Sequence, residues 1–146
     1  MKKSVLFVCV HNSARSQMAE ALLKTTCAES FEVESAGLKP GPLNPLAVAV
    51  MAEIGLDISQ NKTKDIFPFI RRQPTFDYVI NVCDAAQGEN CPSFPRTTTV
   101  LNWGFPNPSK FTGTDEEKLA QTRAVRDAIA ARIDAWCAEM CGAMPA

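Results

Sequence analysis

Cys9 and Arg15 are the two side chains whose types and spacing point most directly to chemistry. They bound the run Cys9-Val10-His11-Asn12-Ser13-Ala14-Arg15-Ser16, a cysteine and an arginine separated by five residues and followed by serine. A loop of successive backbone N–H groups that opens into a helix N-terminus concentrates donors at a point where one anion can accept several hydrogen bonds. The same field favours a thiolate over a thiol and so makes Cys9 a nucleophile. Arg15 carries a planar fork that can fold over an anion and donate paired hydrogen bonds, which a lysine cannot do. The hydroxyls of Ser13 and Ser16 can donate to the sulfur, and Asn12 tolerates the unusual backbone angles of a tight anion nest. Val10, His11 and Ala14 complete the oxyanion-binding run; His11 can tune its charge, but nothing requires it to act as a base. The chemistry these residues suit is thiolate attack on a tetrahedral oxyanion.

C-x5-R is a common coincidence, so the elements around it carry the weight. Ser4 to Cys9 is a near-continuous apolar, β-branched run, the pattern of a strand buried on both faces. After the polar loop, Met18, Ala21, Leu22 and Thr25 recur at helical spacing, with Arg15, Gln17, Glu20 and Lys24 largely on other faces. Phe31 to Ala36 reads as a second strand, closed by Gly37. Asn44-Pro45 reads as an N-cap and first helical residue, with Leu46, Val50 and Ile54 on one stripe. Asp57 to Lys64 is polar loop, and Asp65 to Arg72 a short helix ended by Pro74. Phe76 to Cys83 and Thr97 to Leu101 are the third and fourth strands, with loops over Asp84 to Arg96 and Trp103 to Gly113. Thr114 and Glu117 have capping-box spacing for a long final helix whose core stripe is Val125, Ile129, Ile133, Trp136 and Met140. Alternating strands and helices predict an α/β fold: one domain over residues 1–146, an open four-stranded parallel sheet with helices on both faces. Ligands in such sheets sit beyond the carboxyl ends of the strands, where Cys9 and Cys83 both fall.

The whole chain narrows the function classes. Its 146 residues suffice for one core. A formal net charge of −1 offers no excess of Lys and Arg to track a nucleic acid. The longest apolar runs fall far below the roughly 20 residues a bilayer requires. The start, Met1-Lys2-Lys3 and an apolar stretch, turns polar at once and lacks a cleavage site, so a cytoplasmic, membrane-free protein is expected. In reducing cytosol six cysteines read as buried hydrophobes, metal ligands or redox catalysts rather than three disulfides. No pair forms C-x2-C and His11 is the single histidine, which argues against zinc. Cys27, Cys137 and Cys141 are read as packing or incidental thiols.

Val8 to Ala21 (V-C-V-H-N-S-A-R-S-Q-M-A-E-A), with Glu34-Ser35-Ala36-Gly37, closely resembles the low-molecular-weight tyrosine phosphatase family, and within it the arsenate reductase branch. The likeness continues through Asn44-Pro45, Gly55 to Ser59, the Cys83/Cys91 segment, Trp103-Gly104-Phe105 and the Arg123 to Asp127 stretch, and so covers nearly the whole chain. It implies that Cys9, Arg15, Cys83 and Cys91 are catalytic. In the implied relay Cys9 attacks arsenate, Cys83 attacks Cys9 as arsenite leaves, and Cys91 attacks Cys83. Thioredoxin then reduces the Cys83–Cys91 disulfide. No bound cofactor is expected, the implied partners are an arsenate- or phosphate-like oxyanion and thioredoxin, and the protein is expected to be a monomer. The alternative is a phosphotyrosine or aryl phosphate phosphatase using Cys9 and Arg15. At one place the family pattern breaks: where relatives carry the general acid Asp before Pro, this chain has Asn107-Pro108. The resemblance also offers Asn12, Glu20, Ser35 and Asp65 as a monovalent cation site, with a loop-bracing role for the same residues as the other reading.

Overall fold

The first strand is apolar throughout because both of its faces are covered. In the computed structural model, which describes residues 2–72, 75–84 and 98–141, β1 (Lys3–Cys9) sends Val5, Phe7 and Cys9 into one core and Leu6 and Val8 into another. β2 (Phe31–Gly37), β3 (Tyr78–Asn81) and β4 (Thr99–Asn102) complete a sheet of order β2-β1-β3-β4. Every pairing is parallel, and Cys9 stands opposite Gly37 while Val8 stands opposite Asn81. The four-stranded parallel sheet expected from the sequence is the one observed.

On the first face, α1 (Arg15–Thr26), α2 (Pro45–Ala52) and α4 (Asp115–Cys141) contribute Met18, Leu22, Val50, Ile129 and Ile133 to the larger core. On the second, Ile66, Phe76 and the short α3 (Phe67–Ile70) cover Leu6, Val8 and Val79. Asn44 caps α2, its side chain accepting from the Leu46 N–H at 2.8 Å. Thr114 and Glu117 form the reciprocal box at the start of α4: the Glu117 N–H donates to Thr114 Oγ1 at 3.1 Å, and the Thr114 N–H to Glu117 Oε1 at 3.2 Å.

Several expectations are corrected. α2 stops at Ala52, and a turn through Gly55 at φ 79° swings Ile54 outward, leaving Ala47, Val50 and Met51 as the buried set. Met140 is exposed; the stripe ends at Trp136 and Cys137. The helix expected over Asp65 to Arg72 is only the four residues of α3, because Pro68 and the Asp65 side chain start it late. β3 and β4 are shorter than the apolar runs that announced them. The largest difference lies in α1. Arg15, Ser16, Gln17 and Glu20 are buried beside Met18 and Ala19, while Thr25 is exposed; the segment around Asn61 to Lys64 covers Gln17 and Glu20, and Arg15 turns to the Val82 and Phe105 carbonyls. The expected loop over residues 85–96, with Pro74 and Thr97, lies outside the described residues.

Two tethers fasten α4. Glu53, at the C-cap of α2, accepts from Arg123 Nε at 2.7 Å and Nη2 at 2.6 Å, and from Arg126 Nη1 at 2.9 Å. The Arg123 hydrogen bonds, with those of Arg126 and against a smaller effect of burial, hold the Glu53 carboxyl down at about 2, below its ordinary 4.5. A depressed carboxyl stabilises the fold above its unfolded value and loses that contribution as pH falls through the folded one. Glu53→Gln is therefore expected to melt earlier at neutral pH and to show a shallower loss of stability between pH 4.5 and 2 than the parent. The difference should shrink in high salt, since the pair is solvent-exposed. Equal acid slopes for the two proteins would count against the tether.

The second tether corrects the reading of Cys27 and Cys137 as incidental thiols: a disulfide joins them across 110 residues, from the C-cap of α1 to the buried face of α4. Helical spacing within one segment carries no sign of a partner so far along the chain. Closing a loop of this length commonly stabilises a domain by about 2–4 kcal/mol. Reduction should thus lower the melting temperature by about 6–15 °C in a chain of this size. Calorimetry with and without a phosphine reductant, beside Cys27→Ser, checks this; an unchanged melt in reductant would show that the link adds nothing.

Candidate active site

β1 ends at Cys9 and α1 starts at Arg15, so the anion loop is the whole connection between them. Cys9 is 2 % exposed, and its Sγ receives the Asn12 backbone N–H at 3.1 Å. Its second neighbour is Ser16 Oγ at 2.9 Å. Asn12 Nδ2 donates to that same hydroxyl at 2.7 Å, which leaves the Ser16 proton to point at sulfur. Asn12 has φ 52°, the one positive value on a non-glycine among the described residues. Among the described residues no side chain caps the N-terminus of α1 and its first turn holds no acidic residue, so the positive end of the helix dipole faces the loop.

The loop is clamped from the side by residues 38–44. The Leu38 N–H donates to Cys9 O, Lys39 to Val10 O, Gly41 to His11 O and Asn44 to Ser13 O. His11 Nδ1 lies 2.8 Å from the Lys39 carbonyl, which can only accept, so that nitrogen carries the proton. Gly37 lies directly beneath: a Cβ there would come within 2.7 Å of the Asn12 N, 2.8 Å of Val10 O and 2.9 Å of the His11 carbonyl carbon. Beside the loop opens a cleft of about 460 Å³, lined by His11, Ser13, Pro42, Leu43, Asn44 and Ser109.

Arg15 is buried and its Nη1 donates to Phe105 O at 3.0 Å and, more weakly, to Val82 O at 3.5 Å. Those carbonyls belong to the segments after β4 and β3, so the guanidinium joins three strand ends. Cys83 is buried and one residue past Val82, whose N–H donates to Val8 O at 2.9 Å; the Cys83 thiol itself donates to Val8 O at 3.6 Å. Cys9 and Cys83 therefore sit at one rim, at and just past the ends of adjacent strands. Cys91 lies outside the described residues. Asn107 stands two residues after Phe105 and caps a short 3-10 turn, Pro108–Lys110, its Oδ1 accepting from the Ser109 N–H at 3.0 Å.

Three of the four candidate cation ligands come together. Asn12 Nδ2 donates to Ser35 Oγ at 3.0 Å, and Ser35 Oγ donates to Glu20 Oε1 at 2.5 Å. Asp65 is directed elsewhere, accepting from the Phe67 N–H at 2.9 Å. The set does not fit a cation as it stands. Asn12 Oδ1 already accepts from Gln17 Nε2 and from the Lys64 N–H, and Glu20 is met by Lys24 Nζ at 2.5 Å and Lys64 Nζ at 3.3 Å. Burial works to raise the Glu20 carboxyl, but hydrogen bonds from Lys24 and Ser35, with the charges of Lys64 and Lys24, outweigh it and hold the group below its ordinary value. These residues brace the loop. Among the described residues no cluster of three or more His, Cys, Asp or Glu is placed to hold a metal ion, and no helix is long and apolar enough to cross a membrane.

Sequence reading missed Gln17, Gly37, Lys64 and the Phe105 carbonyl. Gln17 falls on a polar position of its helix, and a main-chain carbonyl has no sequence signature. Gly37 had a signal, a glycine ending the strand beside β1, but reads equally well as a turn.

The family model for low molecular weight phosphotyrosine protein phosphatase matches residues 4–142. A protein named arsenate reductase from Bacillus licheniformis is 44% identical over 133 residues, 90% of this chain and 93% of its own. A solved structure described as an arsenate reductase in the phosphate binding state superposes with a TM-score of 0.74 at 34% identity, covering 94% of this chain and 98% of its own. Another, described as an arsenate reductase in oxidized state, gives 0.76 at 31% over the same shares.

Proposed function

The chain belongs to the low-molecular-weight phosphotyrosine protein phosphatase family, and from that premise we propose that it reduces arsenate to arsenite through Cys9, Cys83 and Cys91, with thioredoxin as electron donor. The observation that carries the reading is a second cysteine, Cys83, just past the end of the strand beside the nucleophile's. A phosphatase has use for one thiol only. The relatives named arsenate reductase support the same choice of substrate.

The Cys9 thiolate attacks arsenic(V), forming an S–As bond as one arsenate oxygen leaves as water. Arg15, the Ser13 hydroxyl and the loop N–H groups other than that of Asn12 hold the remaining oxygens, while Ser16 and the Asn12 N–H serve the sulfur. The Cys83 thiolate then attacks Cys9 Sγ. The S–S bond forms, the S–As electron pair passes to arsenic, and arsenite departs as arsenic(III). Cys91 attacks Cys83, Cys9 is set free as thiolate, and a thioredoxin dithiol supplies the two electrons that reopen the Cys83–Cys91 disulfide. The protein works in the cytoplasm, as a monomer and without a bound cofactor.

Asn107 bears on the alternative. An amide can hydrogen-bond a leaving oxygen but cannot protonate it, and a phosphatase expelling an alkoxide depends on that proton more than an enzyme releasing water from arsenate. Asn107→Asp is expected to raise aryl phosphate hydrolysis at least about tenfold, since a positioned acid commonly supplies ~10²–10⁴-fold. No gain would place this loop outside reach of the substrate. The deciding experiment is arsenate-dependent NADPH oxidation with thioredoxin and thioredoxin reductase, run beside an aryl phosphate assay. Reductase turnover with weak hydrolysis is the expected result; hydrolysis without reductase turnover would make the protein a phosphatase.

A further inference from the structure

We infer that Gln17 is a positioning residue for the nucleophile, holding Asn12 in the left-handed conformation that aims its N–H at Cys9. The inference rests on Cys9 being the nucleophile. A left-handed residue is costly for any side chain with a Cβ, and Asn only reduces that cost, so something must hold Asn12 at φ 52°. Its side-chain amide has two donor hydrogens and two acceptor lone pairs, and all four are used. Nδ2 donates to Ser16 Oγ and Ser35 Oγ; Oδ1 accepts from Gln17 Nε2 at 3.0 Å and the Lys64 N–H at 2.9 Å. Three of the partners are anchored elsewhere: Ser16 in α1, Ser35 in β2 and Lys64 by its own carbonyl, which accepts from the Gly37 N–H.

Gln17 is the partner whose side chain links the loop to Asn61 and Lys62, beside the direct bond from the Lys64 N–H. It is 1 % exposed. Its Nε2 donates to Asn12 Oδ1 and to Lys62 O at 3.1 Å, and its Oε1 accepts from Asn61 Nδ2 at 3.1 Å. A buried amide with three good partners is there for its bonds and not for its volume. The chain Asn61–Gln17–Asn12 ends on the backbone N–H that meets Cys9 Sγ at 3.1 Å. Removing Gln17 leaves Asn12 Oδ1 short of a donor and lets the Asn12 peptide relax toward ordinary backbone angles. The thiolate then loses an N–H, while Ser16 and Arg15 stay in place.

The test is the rate at which iodoacetamide alkylates Cys9, read by peptide mass spectrometry across pH. Gln17→Met keeps size and helix propensity but has no donor; Asn61→Ala removes only the exposed end of the chain and guards against a Met variant that fails to fold. Near pH 7 the Met variant is expected to react about tenfold more slowly than the parent, and the Ala variant about two- to threefold, as fits the loss or loosening of one hydrogen bond to a charged group. At pH well above the ordinary thiol range all three rates should converge, because every thiol is then ionised. Parent-like rates near pH 7 in both variants would overturn the inference, and so would an equal deficit at every pH, which reports access and not thiolate content. A parent Cys9 no faster than a free small-molecule thiol near pH 7 would instead overturn its role as nucleophile.

Discussion

Cys83→Ser is expected to stop arsenate-dependent turnover with thioredoxin, a fall on the order of a thousandfold or more, as when a participating nucleophile is removed. The expectation follows from where the second sulfur stands. Pairing of β3 with β1 continues past Asn81 to the Val82 N–H on Val8 O, which sets Cys83 beside the last residues of β1. The other cysteine pair, Cys27 and Cys137, joins the far end of α1 to α4 and has no path to Cys9. A serine oxygen in place of Cys83 Sγ cannot form the disulfide that lets arsenic keep the bonding pair. The first half of the cycle should survive: arsenate should still protect Cys9 from alkylation, and aryl phosphate hydrolysis should stay near the parent's level. Turnover of Cys83→Ser within about tenfold of the parent would mean that an external thiol attacks the Cys9 adduct directly, with no relay.

Gly37→Ala is expected to disable the same site without touching any reactive group. Its Cβ would meet three main-chain atoms of the anion loop at 2.7–2.9 Å, and main-chain atoms cannot swing aside as a flexible side chain can. The strand opposite offers no slack, since Cys9 and Gly37 are register partners and the Gly37 N–H and O are bonded to Lys64 and Ile66. The loop must move, and a displacement near 1 Å at a reacting centre commonly costs about a hundredfold. The variant should keep its parallel sheet by circular dichroism, lose Cys9 alkylation selectivity, and fall about a hundredfold in arsenate turnover. A folded variant with parent-like turnover would show that the loop tolerates the shift.

Much of this architecture is legible in the sequence because it depends on local pattern. The uninterrupted run from Ser4 to Cys9 is that of a strand covered on both sides, and the C-x5-R spacing after it places nucleophile and guanidinium at a strand–helix junction. Thr114 and Glu117 mark a helix start to the residue. What escaped depends on contacts between distant segments. Periodicity puts Gln17 and Glu20 toward water, yet the stretch from Asn61 to Lys64 folds over them. Cys27 and Cys137 read as unremarkable thiols until α1 and α4 lie side by side. The choice between bracing and cation binding at Glu20 could not be weighed without seeing that two lysines reach it.

The order β2-β1-β3-β4 has a consequence for how such a protein can change over generations. The anion loop grows from the end of β1 and Cys83 follows the end of β3, so in the relay proposed above the grip on the oxyanion and the supply of electrons are encoded in separate stretches of the gene. On that proposal, a lineage built on this sheet can take up or abandon electron transfer by changes around Cys83, and keep the rest of its inheritance.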